Sequence, residues 1–136
     1  MRTTVGRLAV VGVAATAALA FGMAPQASAL ETCVSTSGAR VCFESLGDHF
    51  YVYDTVSDGH RAGVAFYYGT SGWYYCDNTG GNGSVKDCNY DLPESATVYF
   101  RAEVCDRPCS SAGGESGNLI RYSGWQDASV PGCSGP

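Results

Sequence analysis

The stretch AGVAFYYGTSGWYYCDNTGGNG, Ala62 to Gly83, carries Phe66, Tyr67, Tyr68, Trp73, Tyr74 and Tyr75 within ten residues. Rings at that density can stack on sugars or on a protein partner. They can equally be the inward and outward faces of a β-hairpin. Alternation puts Phe66 and Tyr68 on one face of their strand and Tyr67 on the other, and Trp73 and Tyr75 likewise oppose Tyr74. One set then enters the core. The outward set, Tyr67 and Tyr74 with Tyr51, Tyr53 and Trp73 in support, is the candidate binding patch.

Other chemistry-bearing residues form no catalytic constellation. The two histidines each sit beside an acid, in Asp48-His49 and Asp58-Gly59-His60. If the strands they open pair as a hairpin, the rings lie at its opposite ends, which argues against a shared metal. DTVSDG resembles a calcium loop only superficially, because Val56 occupies a ligand position and Ala65 stands where the closing Glu belongs. DNTGGNG has no second carboxylate nearby and reads as a flexible turn. Cys105-Asp-Arg-Pro-Cys109 has neither C-x-x-C spacing nor the further ligands that zinc needs, so it reads as a disulfide. No G-x-S-x-G occurs, and the Asp54/Asp58 carboxylates without a pocket define no acid–base pair. The expectation is a non-enzyme with no metal and no cofactor.

The elements that would position the rings are strands. Val98, Phe100, Ala102 and Val104 alternate with Tyr99, Arg101 and Glu103. Phe50 and Val52 alternate with Tyr51 and Tyr53, and Ala62, Val64, Phe66 and Tyr68 share a face. RVCFES, WYYCD, SVKDCNY and LIRYSGW are further strand candidates, and Asp58-Gly59 between two alternating runs predicts a hairpin turn. DLPESATVYFRAEV reads as a turn from one sheet to the other followed by a central strand. About seven short strands with regular turns predict an all-β fold, an antiparallel sandwich of immunoglobulin-like or related Greek-key type. SSAGGESGN is a loop, and the tail ASVPGCSGP reads as irregular.

The ends and the charge place the domain. Residues 1–29 have the basic start, apolar run and Ala27-Ser28-Ala29 site of a secretory signal peptide, leaving 30–136 as one exported domain with no membrane contact. All 13 acidic residues but only 6 of the 8 basic ones lie beyond Ala29, a net charge of −7 that repels nucleic acid. Seven cysteines in an oxidising compartment imply three disulfides and one remaining thiol. Cys76 and Cys88 flank a turn-rich segment and are placed to staple one hairpin; Cys33 and Cys42 bracket another turn. Cys105, Cys109 and Cys133 compete for the last bond, with Cys105–Cys109 preferred and Cys133 left free or intermolecular.

The string from Val41 to Tyr68, then YYC and DCNYDLPESATVYFRAEVC, resembles a set of small secreted actinobacterial proteins of unknown function. The shared pattern is G-D-x-F-x-V-x-D-x-x-x-D-G-x-x-A, here Gly47, Asp48, Phe50, Val52, Asp54, Asp58, Gly59 and Ala62. That resemblance implies a β-domain and carries no activity or ligand. On the residues, the expected role is a non-catalytic extracellular interaction module for a glycan, such as a cell-wall surface, or for a protein. The alternative is a small secreted inhibitor of a protease or amylase, presenting the Cys76–Cys88 or Cys105–Cys109 loop.

Overall fold

Period-two patterning becomes strand wherever the alternating residues have a facing layer to bury against. The computed structural model describes residues 30–109 and 118–132; residues 1–29, 110–117 and 133–136, with Cys133 and the expected signal peptide among them, lie outside these. Nine strands occur there: β1 (Glu31–Thr36), β2 (Ala39–Glu44), β3 (His49–Asp54), β4 (Arg61–Tyr68), β5 (Tyr74–Asn78), β6 (Val85–Asn89), β7 (Thr97–Cys105), β8 (Leu119–Tyr122) and β9 (Gln126–Ser129). Sheet one runs β1-β2-β3-β6. Sheet two runs β5-β4-β7, with β8 and β9 sharing the far edge of β7. All pairs are antiparallel, and the chain changes sheet at β3–β4, β5–β6 and β6–β7. This is the Greek-key connectivity of immunoglobulin-like sandwiches. No helix among the described residues is long and apolar enough to cross a membrane.

The two sheets meet on a ring-rich core. Phe43, Phe50, Phe66 and Phe100 are fully buried. Phe50 is their centre, with ring centroids 4.6 Å from Phe43, 4.5 Å from Phe66 and 5.4 Å from Phe100. Val41 and Val52 of sheet one face Val64, Val98 and Val104 of sheet two across it. Valine and phenylalanine suit a pleated, buried surface. The expected inward residues of β3, β4 and β7 are core, but burial alternates strictly only in β3, because outward residues of β4 and β7 such as Ala65, Arg101 and Glu103 are covered too.

The G-D-x-F pattern resolves into fold positions. Asp48, at φ 57°, clamps the β6–β7 corner: its carbonyl accepts the Tyr90 N–H at 3.1 Å and its carboxylate the Leu92 N–H at 3.0 Å. Phe50, Val52 and Ala62 are core. Asp54 ends β3, where its backbone bonds Gly83 and Ser84 of the β5–β6 loop. Asp58 accepts the His60 N–H at 3.0 Å across Gly59, whose φ of +73° favours glycine.

Several expectations change. Asp58-Gly59 does not make a hairpin: β3 is already paired with β2 and β6, so the turn lies in a crossover and β4 joins the other sheet. The histidines are therefore not hairpin partners; His49 meets Asp87 at 2.7 Å and His60 meets Asp106 at 3.5 Å. Cys76–Cys88 forms, but it ties β5 of sheet two to β6 of sheet one instead of stapling a hairpin. Cys33–Cys42 and Cys105–Cys109 form as expected. Part of the tail is ordered as β9, because Ala128 and Val130 find apolar cover. β1, not singled out in the sequence, pairs fully with β2.

Removing the inter-sheet bridge should cost about 3 kcal/mol, the chain-entropy value for a loop of this size. A Cys76→Ala/Cys88→Ala double variant should show that loss in urea unfolding. An unchanged midpoint would mean the core alone sets the sheet spacing.

Candidate functional site

The aromatic hairpin does not present one patch. Tyr74 lies opposite Phe66 in register and so shares its inward face, stacking on Phe66 at 5.1 Å and on Tyr68 at 5.7 Å. Tyr51 and Tyr53 point outward from sheet one, beside His49 and Arg40 respectively. Tyr67 and Trp73 point outward from sheet two, with centroids 4.7 Å apart. Of the five expected residues, only these last two lie on the outer face of sheet two.

Two residues not expected there, Tyr99 and Trp125, complete a cluster. Tyr99 is the β7 partner of Tyr67 and stacks on it at 5.1 Å. Trp125 lies 5.6 Å from Tyr67 and 5.1 Å from Trp73. It arrives there because the edge strand breaks: Ser123 bonds Ala102 through both its N–H and its Oγ, at 2.9 Å each. The chain then turns through Gly124 before β9 resumes. Trp73 and Trp125 remain 43 % and 44 % exposed, and Tyr99 and Tyr122 are exposed too. That is more clustered aromatic surface than scattered surface rings provide.

A buried ion pair holds the next row. Arg101 is 8 % and Glu103 2 % exposed, although both point away from the core. Arg101 Nε and Nη2 donate to one Glu103 oxygen at 2.8 and 2.7 Å, and the guanidinium carbon lies 4.5 Å from the Tyr122 ring and 4.8 Å from Trp125. Arginine suits this place because its flat, weakly hydrated cation stacks on rings while it bonds a carboxylate. The neighbours on β4 are small: Ala65 stands opposite Arg101 and Gly63 opposite Glu103. A Cβ on Gly63 would come within 2.7 Å of Cys109 Sγ, so glycine is what lets the Cys105–Cys109 loop lie down on the sheet.

Under that loop sits a second carboxylate. Asp77 accepts the Cys109 N–H at 2.9 Å and faces Arg61 at 3.6 Å, while its Oδ1 is buried with no hydrogen-bond partner among the described residues. Burial pushes the Asp77 carboxyl above the ordinary range, against the pull of Cys109 N–H and Arg61. Burial likewise raises Glu103, with Arg101 pulling it back and Asp77 adding to the rise. Among the described residues, the groups of ligand-type atoms close enough for a metal are Glu31 with Cys33 and Cys42, and Glu103 with Cys105 and Cys109. Their sulfurs are committed to disulfides.

Beyond Tyr99 the cluster opens into a groove of about 840 Å³ between the β4–β5 loop and the β6–β7 corner, lined by Tyr68, Thr70, Ser71, Glu94, Ser95 and Thr97 among others. Contrary to the expectation of carboxylates without a pocket, Asp54 and Asp58 share a polar cleft of about 350 Å³ with His60 and Asp106, at the opposite end of the sandwich. Comparison with known proteins finds no matching family model, no matching curated protein and no matching solved structure.

The raised Asp77 carboxyl makes stability pH-dependent with a definite sign. The folded state binds this proton more tightly than the unfolded chain, so protonation favours folding. Compared with Asp77→Asn, whose amide oxygen can still accept from Cys109, wild type should gain stability as pH falls from neutrality. The gain should be complete below the unfolded carboxyl's ordinary value of 3.8. Urea unfolding of both proteins along a pH series reads the difference directly; a flat or reversed trend contradicts the assignment.

Proposed function

We propose that the outer face of sheet two is the binding surface of a secreted, non-catalytic glycan-binding module. The observation that carries this reading is the interlocked cluster of Tyr67 and Tyr99, on adjacent strands, with Trp73 and Trp125, on the irregular segments beside them, left half open. A sugar's C–H face stacks favourably on such rings, whose indole N–H and phenol O–H groups can also bond its hydroxyls. The adjoining groove supplies Thr70, Ser71, Ser95 and Thr97 for further hydroxyl contacts. Three disulfides and the signal-type leader both favour an oxidising, extracellular setting.

Binding without turnover is favoured by where the acids lie. A general acid must reach the bond it protonates. Asp77 and Glu103, the carboxylates with raised pKa, are engaged by Arg61, Arg101 and the Cys109 N–H and lie beneath the surface.

The oxidised protein should be retained on an insoluble glycan such as chitin, cellulose or cell wall. Trp73→Ala and Trp125→Ala should each weaken retention about tenfold or more, the usual effect of deleting an aromatic anchor. Tyr53→Ala, on the other sheet, should leave it intact. Failure to bind any glycan, together with stoichiometric slowing of a protease or amylase, would favour the inhibitor reading instead.

A further inference from the structure

Given the glycan-binding reading, on which this step rests, charge selects among glycans. We infer that the platform prefers chains of amino sugars bearing free, protonated amines over acetylated, neutral or anionic ones. The first ground is that, among the described residues, no spare cation stands at the Tyr99 end of the cluster. Its guanidinium, Arg101, is buried and doubly bonded to Glu103, so it cannot turn to an anionic ligand without abandoning that carboxylate. Arg61 and Arg121 pair with Asp77 and Asp58, Arg40 and Lys86 belong to sheet one, and Arg107, exposed on the Cys105–Cys109 loop, follows the end of β7 opposite to Tyr99.

The second ground is two carboxylates at the rim, from separate elements. Asp127 of β9 lies opposite Tyr99 in register, on the same outward face, and is exposed. Glu94, in the β6–β7 corner, is an exposed wall of the groove that Tyr99 closes. Neither makes an ion pair among the described residues. The third ground is the rings themselves. The faces of Trp73, Trp125 and Tyr99 attract an ammonium group, and rings edged by carboxylates form a site that discriminates by charge. The net charge of −7 beyond Ala29 adds attraction at longer range and repels polyanions. An amine on every sugar meets all three features along one chain.

The test compares a glucosamine oligomer with its N-acetylated counterpart of the same length by calorimetry, at mildly acidic pH where the amines are charged. The amine form should bind about tenfold tighter at low salt, and the advantage should shrink as salt rises. Glu94→Gln/Asp127→Asn should close most of the gap between the two oligomers. Equal affinities, a preference for the acetylated chain, or a gap that survives the double substitution would overturn the inference. If the acetylated oligomer still binds in a Trp125-dependent way, the glycan-binding reading stands and only this inference fails. If neither oligomer nor any insoluble glycan binds, both fall together.

Discussion

Eight consecutive residue pairs join β4 to β7, from Arg61 with Cys105 to Tyr68 with Val98, and that single register decides both sides of sheet two. It puts Phe66 beside Phe100 in the core and Tyr67 beside Tyr99 outside. A slip of one residue would exchange the faces. The apolar side resists it, because a slip of β4 would turn Val64 and Phe66 outward, a slip of β7 would turn Val98, Phe100, Ala102 and Val104 outward, and either would bring polar groups into the core. At about 25 cal/mol per Å² of apolar surface, that penalty far exceeds any gain available on the outer face. The outer arrangement is therefore inherited from the core. Tyr67 and Tyr99 are neighbours because Phe66 and Phe100 must be.

This dependence explains what was legible in the sequence. Period-two alternation reports burial, so the core positions of β3, β4 and β7 and the sandwich class could be read directly. Cysteine spacing narrowed the three bridges because short loops favour local pairing. What alternation does not report is the partner of a strand. Asp58-Gly59 has the chemistry of a hairpin turn and makes a genuine turn, yet the flanking strands enter different sheets. The choice is tertiary: sheet one already offers β3 two partners.

The candidate site was less legible for a related reason. Tyr67 and Tyr74 were placed together as outward rings, but the register pairs Tyr74 with Phe66, so it shares that residue's face, away from Tyr67, at the exposed end of β5. Arg101 and Glu103 look like solvent-facing residues by alternation, and their direction is indeed outward. Their burial comes from material laid over the sheet: Tyr122, Trp125 and the Cys105–Cys109 loop. A signal existed. Gly63 and Ala65 are outward positions on β4 without bulk, and an outward position left small in a ring-rich strand implies that something rests on it. Trp125 gave no such sign, since its place depends on a strand break at Ser123 and Gly124.

The polar and aromatic halves of this face act as one unit. Tyr67 contacts three other rings, and Trp125, one of those three, is also in contact with Arg101. Arg101 in turn depends on Glu103 for its charge balance, and Glu103 depends on the disulfide loop for its shelter from water. An exposed indole on an irregular segment would otherwise sample several rotamers, and binding would have to restrict it at a cost of about 0.5–1.5 kcal/mol per side chain. Trp125 is instead held by Tyr67, Trp73 and Arg101. The unfavourable burial of a charged pair outside the core makes sense on those terms: it contributes little to folding, and it fixes the direction of the ring beside it. The carboxylates that look most like catalytic groups are, on this reading, the footing of a preorganised surface.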